Sequence, residues 1–187
     1  MPEYRRRYVP GGTFFFTLVT CDRRPFLCDQ VARPILRDCL REAQRERAFT
    51  IDAVVLLPDH LHAIWTLPPG DATYSLRWAA IKANFTREWL ACGGQESTIT
   101  GDHHRQGRRG VWQPRFYEHT VEDDDDFIAH VEYIHFNPVK HGLVHCPRDW
   151  PYSSFHRYIR LGHYAPQWCC GGGHETIRDL PDAEWLE

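Results

Sequence analysis

The stretch Val54-Val55-Leu56-Leu57-Pro58-Asp59-His60-Leu61-His62-Ala63-Ile64-Trp65 decides how the chain is read. Two apolar runs flank a Pro-Asp pair, which is the composition of strand, turn and strand. Ile51 to Leu57 and His60 to Leu67 are therefore expected to form an antiparallel pair. Successive side chains of a strand point to opposite faces, so His60 and His62 share one side. Two imidazoles on a rigid element suit a bound metal ion, and a pair of hydrogen-bonded sheet histidines is the plainer alternative. Only a third ligand and a reacting group elsewhere in the chain can decide between them.

Working outward, Phe14 to Thr20 is rich in β-formers behind a Pro-Gly-Gly turn and predicts a buried strand. Between Asp29 and Arg47, Val31, Ile35, Leu36, Cys39, Leu40 and Ala43 recur at helical spacing. Ser75 to Cys92 reads as a second helix, with Leu76, Ala79, Ala80, Ala83, Phe85 and Leu90 as its apolar set and Ser75 as its cap. Gly93 to Gly110 has one strongly apolar residue, Ile99, and is expected to be a mobile loop insertion. Val111 to Thr120 is expected to hold a fourth strand. Thr120-Val121-Glu122-Asp123 then resembles a capping box, and the acids through Asp126 fall in the first turn of a third helix, where the dipole favours them. This order predicts an α+β domain on the ferredoxin-like split βαβ plan, an antiparallel sheet with helices on one face.

At 187 residues the chain has the size of one domain with decorations. No run is long and apolar enough to cross a bilayer, and Tyr4-Arg5-Arg6-Arg7 leads into Pro10-Gly11-Gly12 rather than a signal-peptide core, so a soluble, cytoplasmic protein is expected. Cysteines at 21, 28, 39, 92, 146, 169 and 170 are odd in number and contain no Cys-x-x-Cys pair. That favours reduced thiols over a disulfide framework or zinc ribbon. Cys169, Cys170 and His174 form at most a loose metal clip. The formal charge of −3 becomes +2 without the five acids of Glu122 to Asp126, so charge permits a nucleic-acid partner without demanding one.

The third helix supplies what the histidine pair lacks. Phe127, Val131 and Ile134 are placed to hold it to the sheet, while Tyr133 and Asn137, four apart, share the neighbouring face. Pro138 disfavours helical geometry at Asn137, so the helix is expected to end or kink there. A phenol able to attack and an amide oxygen able to ligate a hard cation are presented together. Among the other tyrosines only Tyr152 has a metal-binding type, His156, four residues on, and it sits in a turn-like Trp150-Pro151-Tyr152-Ser153-Ser154 context.

A His-hydrophobe-His strand followed by a Tyr-x-x-x-amide helix resembles the single-tyrosine HUH transposases. The wider text is closer to one branch, the REP-associated tyrosine transposases, through Tyr4-Arg5-Arg6-Arg7, Val9-Pro10-Gly11-Gly12, Leu57-Pro58-Asp59-His60-Leu61-His62, Trp112-Gln113-Pro114-Arg115-Phe116, Tyr133-Ile134-His135-Phe136-Asn137-Pro138-Val139-Lys140-His141-Gly142 and Asp149-Trp150-Pro151-Tyr152-Ser153-Ser154-Phe155. The resemblance covers roughly residues 4 to 168, and residues 1 to 168 are expected as one HUH endonuclease-like domain with 169 to 187 as a tail. The 93–110 loop is longer than the pattern needs, and the Cys-Cys-Gly-Gly-Gly of the tail has no counterpart in it.

The resemblance implies a divalent ion, Mg²⁺ or Mn²⁺, on His60, His62 and Asn137, with Tyr133 as nucleophile. It also implies a single-stranded DNA substrate beside a short palindromic REP hairpin, and a monomer or homodimer. Arg5, Arg6, Arg7, Arg77, Trp78, Lys82, Arg115 and Lys140 are candidate DNA contacts. Trp112 and Phe116 are placed in the core in preference to base stacking, and His119, His135 and His141 in structural or DNA-adjacent roles. The alternatives are a different metal hydrolase and a domesticated hairpin-binding protein without turnover. A metallo-β-lactamase-like site needs an Asp-His pair where this chain has Ile64-Trp65.

Overall fold

The computed structural model describes residues 8–98, 101 and 109–171. Four strands, β1 (Thr13–Val19), β2 (Thr50–Leu56), β3 (His60–Thr66) and β4 (Tyr117–Thr120), form one sheet in the order β2-β3-β1-β4 with every pairing antiparallel. The helices are α1 (Ala32–Glu46), α2 (Tyr74–Ala91), α3 (Asp124–Lys140) and the short α4 (Phe155–Arg160). β1, α1 and β2 form the split βαβ unit, since β3 pairs between β1 and β2. The expected α+β antiparallel class is the one found.

Alternation along the central strands sorts the core into two layers. Phe14, Phe16 and Leu18 of β1 and Leu61, Ala63 and Trp65 of β3 meet Leu36, Cys39 and Ala43 of α1 and Tyr74, Trp78, Ile81 and Phe85 of α2. The opposite face presents Phe15, Ala53, Val55 and Ile64 to Val131, Tyr133 and Ile134 of α3. The helices therefore do not share one face. α1 and α2 cover one side and α3 the other, because β1 and β3 are buried at both parities and need cover on both. His60 and His62 share the parity of Ile64, which directs them toward α3.

Several local expectations change. The buried stripe of α2 is Tyr74, Arg77, Trp78, Ile81, Phe85 and Trp89, while Leu76 is 54% exposed. The bulky aromatics win the core over the small alanines because they bury more area. Ser75 lies inside α2 rather than capping it, and Asp71 accepts hydrogen bonds from the Thr73 amide and hydroxyl just ahead of the helix. At α3 the cap is Asp123, which accepts from the Asp126 amide at 2.8 Å, three residues later than the capping box suggested. α3 also runs through Pro138 to Lys140, with the His141 amide donating to the Asn137 carbonyl at 3.0 Å. Proline near a helix end removes one hydrogen bond, and here the turn is buried against the sheet.

Cys146 and Cys170 are joined by a disulfide, contrary to the expectation that all thiols are reduced. Spacing in sequence carried no sign of it, because the pairing arises from the chain returning past α4. Cys169 is buried and the Gly171 amide donates to the His145 carbonyl, so packed chain continues at least to Gly171. The ends of the 93–110 stretch are tied by Arg109 on Glu96 and by the Ser97 amide on the Gly110 carbonyl. Residues 99–100 and 102–108, like His174, lie outside the described residues.

Candidate active site

The β2–β3 turn that delivers the histidine pair is fixed from outside. Thr20 donates its amide and its hydroxyl to the Asp59 carbonyl, each at 2.9 Å, and the Leu27 amide donates to the Pro58 carbonyl. Val19 pairs with His60 and Thr17 with His62 across the sheet. Both histidines are buried, their rings 4.9 Å apart.

Each ring is held through Nδ1, His60 by Asp59 Oδ1 at 2.7 Å and His62 by Thr17 Oγ1 at 2.8 Å. That leaves Nε2 of each ring as its ligand atom, the usual way a metal-binding imidazole is oriented. Burial alone would raise the Asp59 carboxyl, but the hydrogen bond and charge of His60, with Arg23 3.4 Å away, hold it below its ordinary value. Burial drives His62 well below the usual imidazole value, aided by the positive field of His60, His141 and Lys140, so its ring is neutral.

α3 crosses this face so that Tyr133 and the C-cap His141, eight residues apart, each meet one of the two histidines. The Tyr133 ring lies 5.2 Å from that of His62, and the His141 ring 5.0 Å from that of His60. Asn137 stands midway in sequence between Tyr133 and His141, one helical turn from each. It is fully buried, and its Oδ1 and Nδ2 find no hydrogen-bond partner, as is true of His62 Nε2. Such atoms are costly to bury and rare in native proteins. Of these, His62 Nε2 and Asn137 Oδ1 are atoms able to ligate a cation, with His60 Nε2 as a second imidazole donor.

The remaining candidates divide. Lys140 is exposed and its Nζ lies 5.1 Å from the centre of the Tyr133 ring. Arg115 is exposed on the approach to β4. Lys82 is half-buried and donates to the Gln113 carbonyl at 2.6 Å. Arg77 and Trp78 are corrected, since both are buried and cannot reach a DNA strand. Arg77 donates to Asp71 at 2.6 Å, to Thr73, and to the carbonyls of Arg47 and Ala48, tying α2 to the end of α1. Trp78 stacks on Trp65 at 3.9 Å. Trp112 and Phe116 are buried in the same layer, as expected. Arg5, Arg6 and Arg7 lie outside the described residues. Tyr152 packs on Trp150 and under Arg33.

Sequence reasoning missed Asp59 and Thr17 as the groups that orient the histidines. The position of Asp59 just ahead of His60 was a usable signal, as was a hydroxyl among the phenylalanines of β1. A further cluster, His119, Asp126 and His130, brings three ligand-type atoms within 4.8 Å of one another. Among the described residues, no helix is long and apolar enough to cross a membrane.

Residues 10–137 match the family described as "Transposase IS200 like". The chain is 43% identical over 168 residues to the REP-associated tyrosine transposase of Escherichia coli (strain K12), covering 90% of this chain and 91% of that protein. It is also similar to a solved structure described as a REP-associated tyrosine transposase bound to a REP hairpin, with 40% identity, a TM-score of 0.76, and coverage of 96% of this chain and 95% of that one. The likeness thus runs along nearly the full length of both the curated relative and the solved structure. The chain belongs to the IS200-like transposases, among the REP-associated tyrosine transposases.

Proposed function

We propose that the protein cuts and rejoins single-stranded DNA beside a REP-type palindromic hairpin through a 5′-phosphotyrosine on Tyr133. The observation that carries this reading is the Tyr133 ring 5.2 Å from His62, beside the partnerless polar atoms of His62 and Asn137. The hairpin is proposed because the similar solved structure is described as bound to one. The catalytic unit on this reading is residues 1–168, working in the bacterial cytoplasm.

His60, His62 and Asn137 would hold Mg²⁺ or Mn²⁺, which when bound neutralises and orients a phosphate oxygen. Asp59 and Thr17 keep the two imidazoles turned with Nε2 inward. Tyr133 Oη attacks phosphorus in line as its proton leaves, the bond from phosphorus to the 3′ oxygen breaks, and that oxygen takes up a proton. Lys140 places positive charge beside the phenol as negative charge develops on it. One phosphate ester replaces another, so a 3′-hydroxyl can reverse the step and join strands without a nucleotide cofactor. Arg115 and Lys140 supply exposed positive charge for the strand.

Tyr133→Phe is expected to abolish cleavage and the covalent protein–DNA adduct on a hairpin oligonucleotide with Mg²⁺ or Mn²⁺, with hairpin affinity unchanged within about 2-fold. An adduct formed by that variant overturns the assignment. Cleavage that survives EDTA or His62→Ala refutes the metal role, and tight hairpin binding without cleavage of any strand returns the protein to a binding function.

A further inference from the structure

Asp126 and His130 lie one turn apart on α3, and His119 on β4 pairs with Phe15 of β1 on the sheet face that α3 covers. His119 Nε2 is 2.8 Å from Asp126 Oδ2, and His130 Nδ1 is 3.0 Å from Asp126 Oδ1 and 2.8 Å from the Asp126 carbonyl. The two imidazoles are stacked, with centres 4.5 Å apart and planes 14° from parallel. His130 is buried, while His119 is about one-third exposed, which leaves the cluster open on one side. The Glu122 amide donates to Asp126 Oδ2 at 2.9 Å and steadies the carboxylate.

Two stacked rings aiming nitrogens at one carboxylate is an economical way to present three ligands on two elements. Ligand atoms at tetrahedral angles about one ion at roughly 2.0–2.2 Å lie about 3.3–3.6 Å apart, so atoms already within 4.8 Å of one another need move less than about 1 Å each to close on it. Burial pushes His130 down, and although burial alone would raise the Asp126 carboxyl, the nearby donors bring it below its ordinary value. An imidazole whose proton sits on the other ring nitrogen offers a lone pair at the nitrogen that faces the carboxylate.

We infer that His119, Asp126 and His130 form a second metal site, separate from the His60, His62 and Asn137 set, which takes a borderline transition-metal ion such as Zn²⁺. Two imidazoles and one carboxylate match that class, whereas the amide-containing set suits a harder ion. The ring of Phe15 stands beside both, 4.8 Å from His130 and 5.5 Å from His62. An ion here joins β4 to the first turns of α3. Asp126, His130, Tyr133 and Asn137 recur at spacings of four, three and four, so the ion fixes the same helical face that carries the tyrosine. The inference stands whether or not Tyr133 is the nucleophile.

The test uses the full chain stripped with a chelator and titrated with Zn²⁺ alone. In a His60→Ala, His62→Ala background, zinc retained after equilibrium dialysis is expected at about one ion per chain, and adding His119→Gln with Asp126→Asn should weaken its binding at least ~10-fold. Absence of bound zinc in that background, or zinc indifferent to the added substitutions, overturns the site. Imidazole NMR of the unaltered chain needs no variant to fold: stoichiometric zinc must move the ring signals of His119 and His130. Signals that stay in place while those of His60 and His62 move also overturn it.

Discussion

Arg77 shows what a single side chain can hide. In sequence it stands beside Trp78 on a helix and reads as a DNA contact, yet it is 2% exposed and its guanidinium reaches four acceptors on two elements. A planar fork with five donors is suited to that task. Asp71, its ion-pair partner, is held well below the usual carboxylate range mainly by this contact. Arg77→Ala is therefore expected to destabilise the fold by about 2 kcal/mol in chemical denaturation, because it removes the ion pair to Asp71 and leaves the Arg47 and Ala48 carbonyls without this donor. Hairpin affinity of the folded fraction should be unchanged, and a stable variant with weakened DNA binding would restore the DNA role. The catalytic candidates were more legible: His60, His62, Tyr133 and Asn137 follow from spacing and residue type, while Asp59 and Thr17 needed the strand register.

At the scale of the element, α3 carries the proposed nucleophile Tyr133, and its N-terminus anchors that helix. Asp123 accepts from the Asp126 amide, and Asp124, Asp125 and Asp126 fill the first turn, where the helix dipole favours negative charge. The acidic run is thus a helix start, as its sequence suggested, although the capping residue is three positions later than the box motif implies. Asp123→Ala is expected to cost about 1 kcal/mol, read as a lower melting temperature. Cleavage should remain near the unaltered level at temperatures well below melting, since Tyr133 lies more than two turns further along. An unchanged melting temperature would remove Asp123 as the cap. Pro138 is the opposite case: its local preference is for the helix to end or kink at Asn137, and the helix runs on to Lys140 with Asn137 and Pro138 buried.

Across the whole molecule, burial of neutral histidines on both sides of α3 ties stability to pH. His62 and His130 face the sheet, and His135 lies on the other side among Phe155, Tyr158 and Tyr164 with its Nε2 2.8 Å from Ser154 Oγ. Burial lowers all three, His135 to about 3. In the unfolded chain each titrates near ~6.5, so below that pH the unfolded state binds protons that the folded state refuses. Their contribution is full above ~6.5 and is lost as pH falls from there toward the folded values, at up to ~1.4 kcal/mol per pH unit for each group. The metal-free chain should melt clearly lower at pH 5.0 than at pH 7.5, and His135→Gln should flatten that slope while lowering stability at pH 7.5. A melting temperature flat across the interval would contradict the burial of these rings in neutral form. By itself the sequence determined the element order, the antiparallel hairpin, the histidine parity and the tyrosine–amide pair, because these depend on spacing along one strand or one helix. Only the tertiary structure decided that α3 covers the opposite face from α1 and α2, that Arg77 and Trp78 are interior, that Cys146 meets Cys170, and that His119, Asp126 and His130 converge. Those outcomes rest on competition between distant segments for the same buried area, which no local periodicity records.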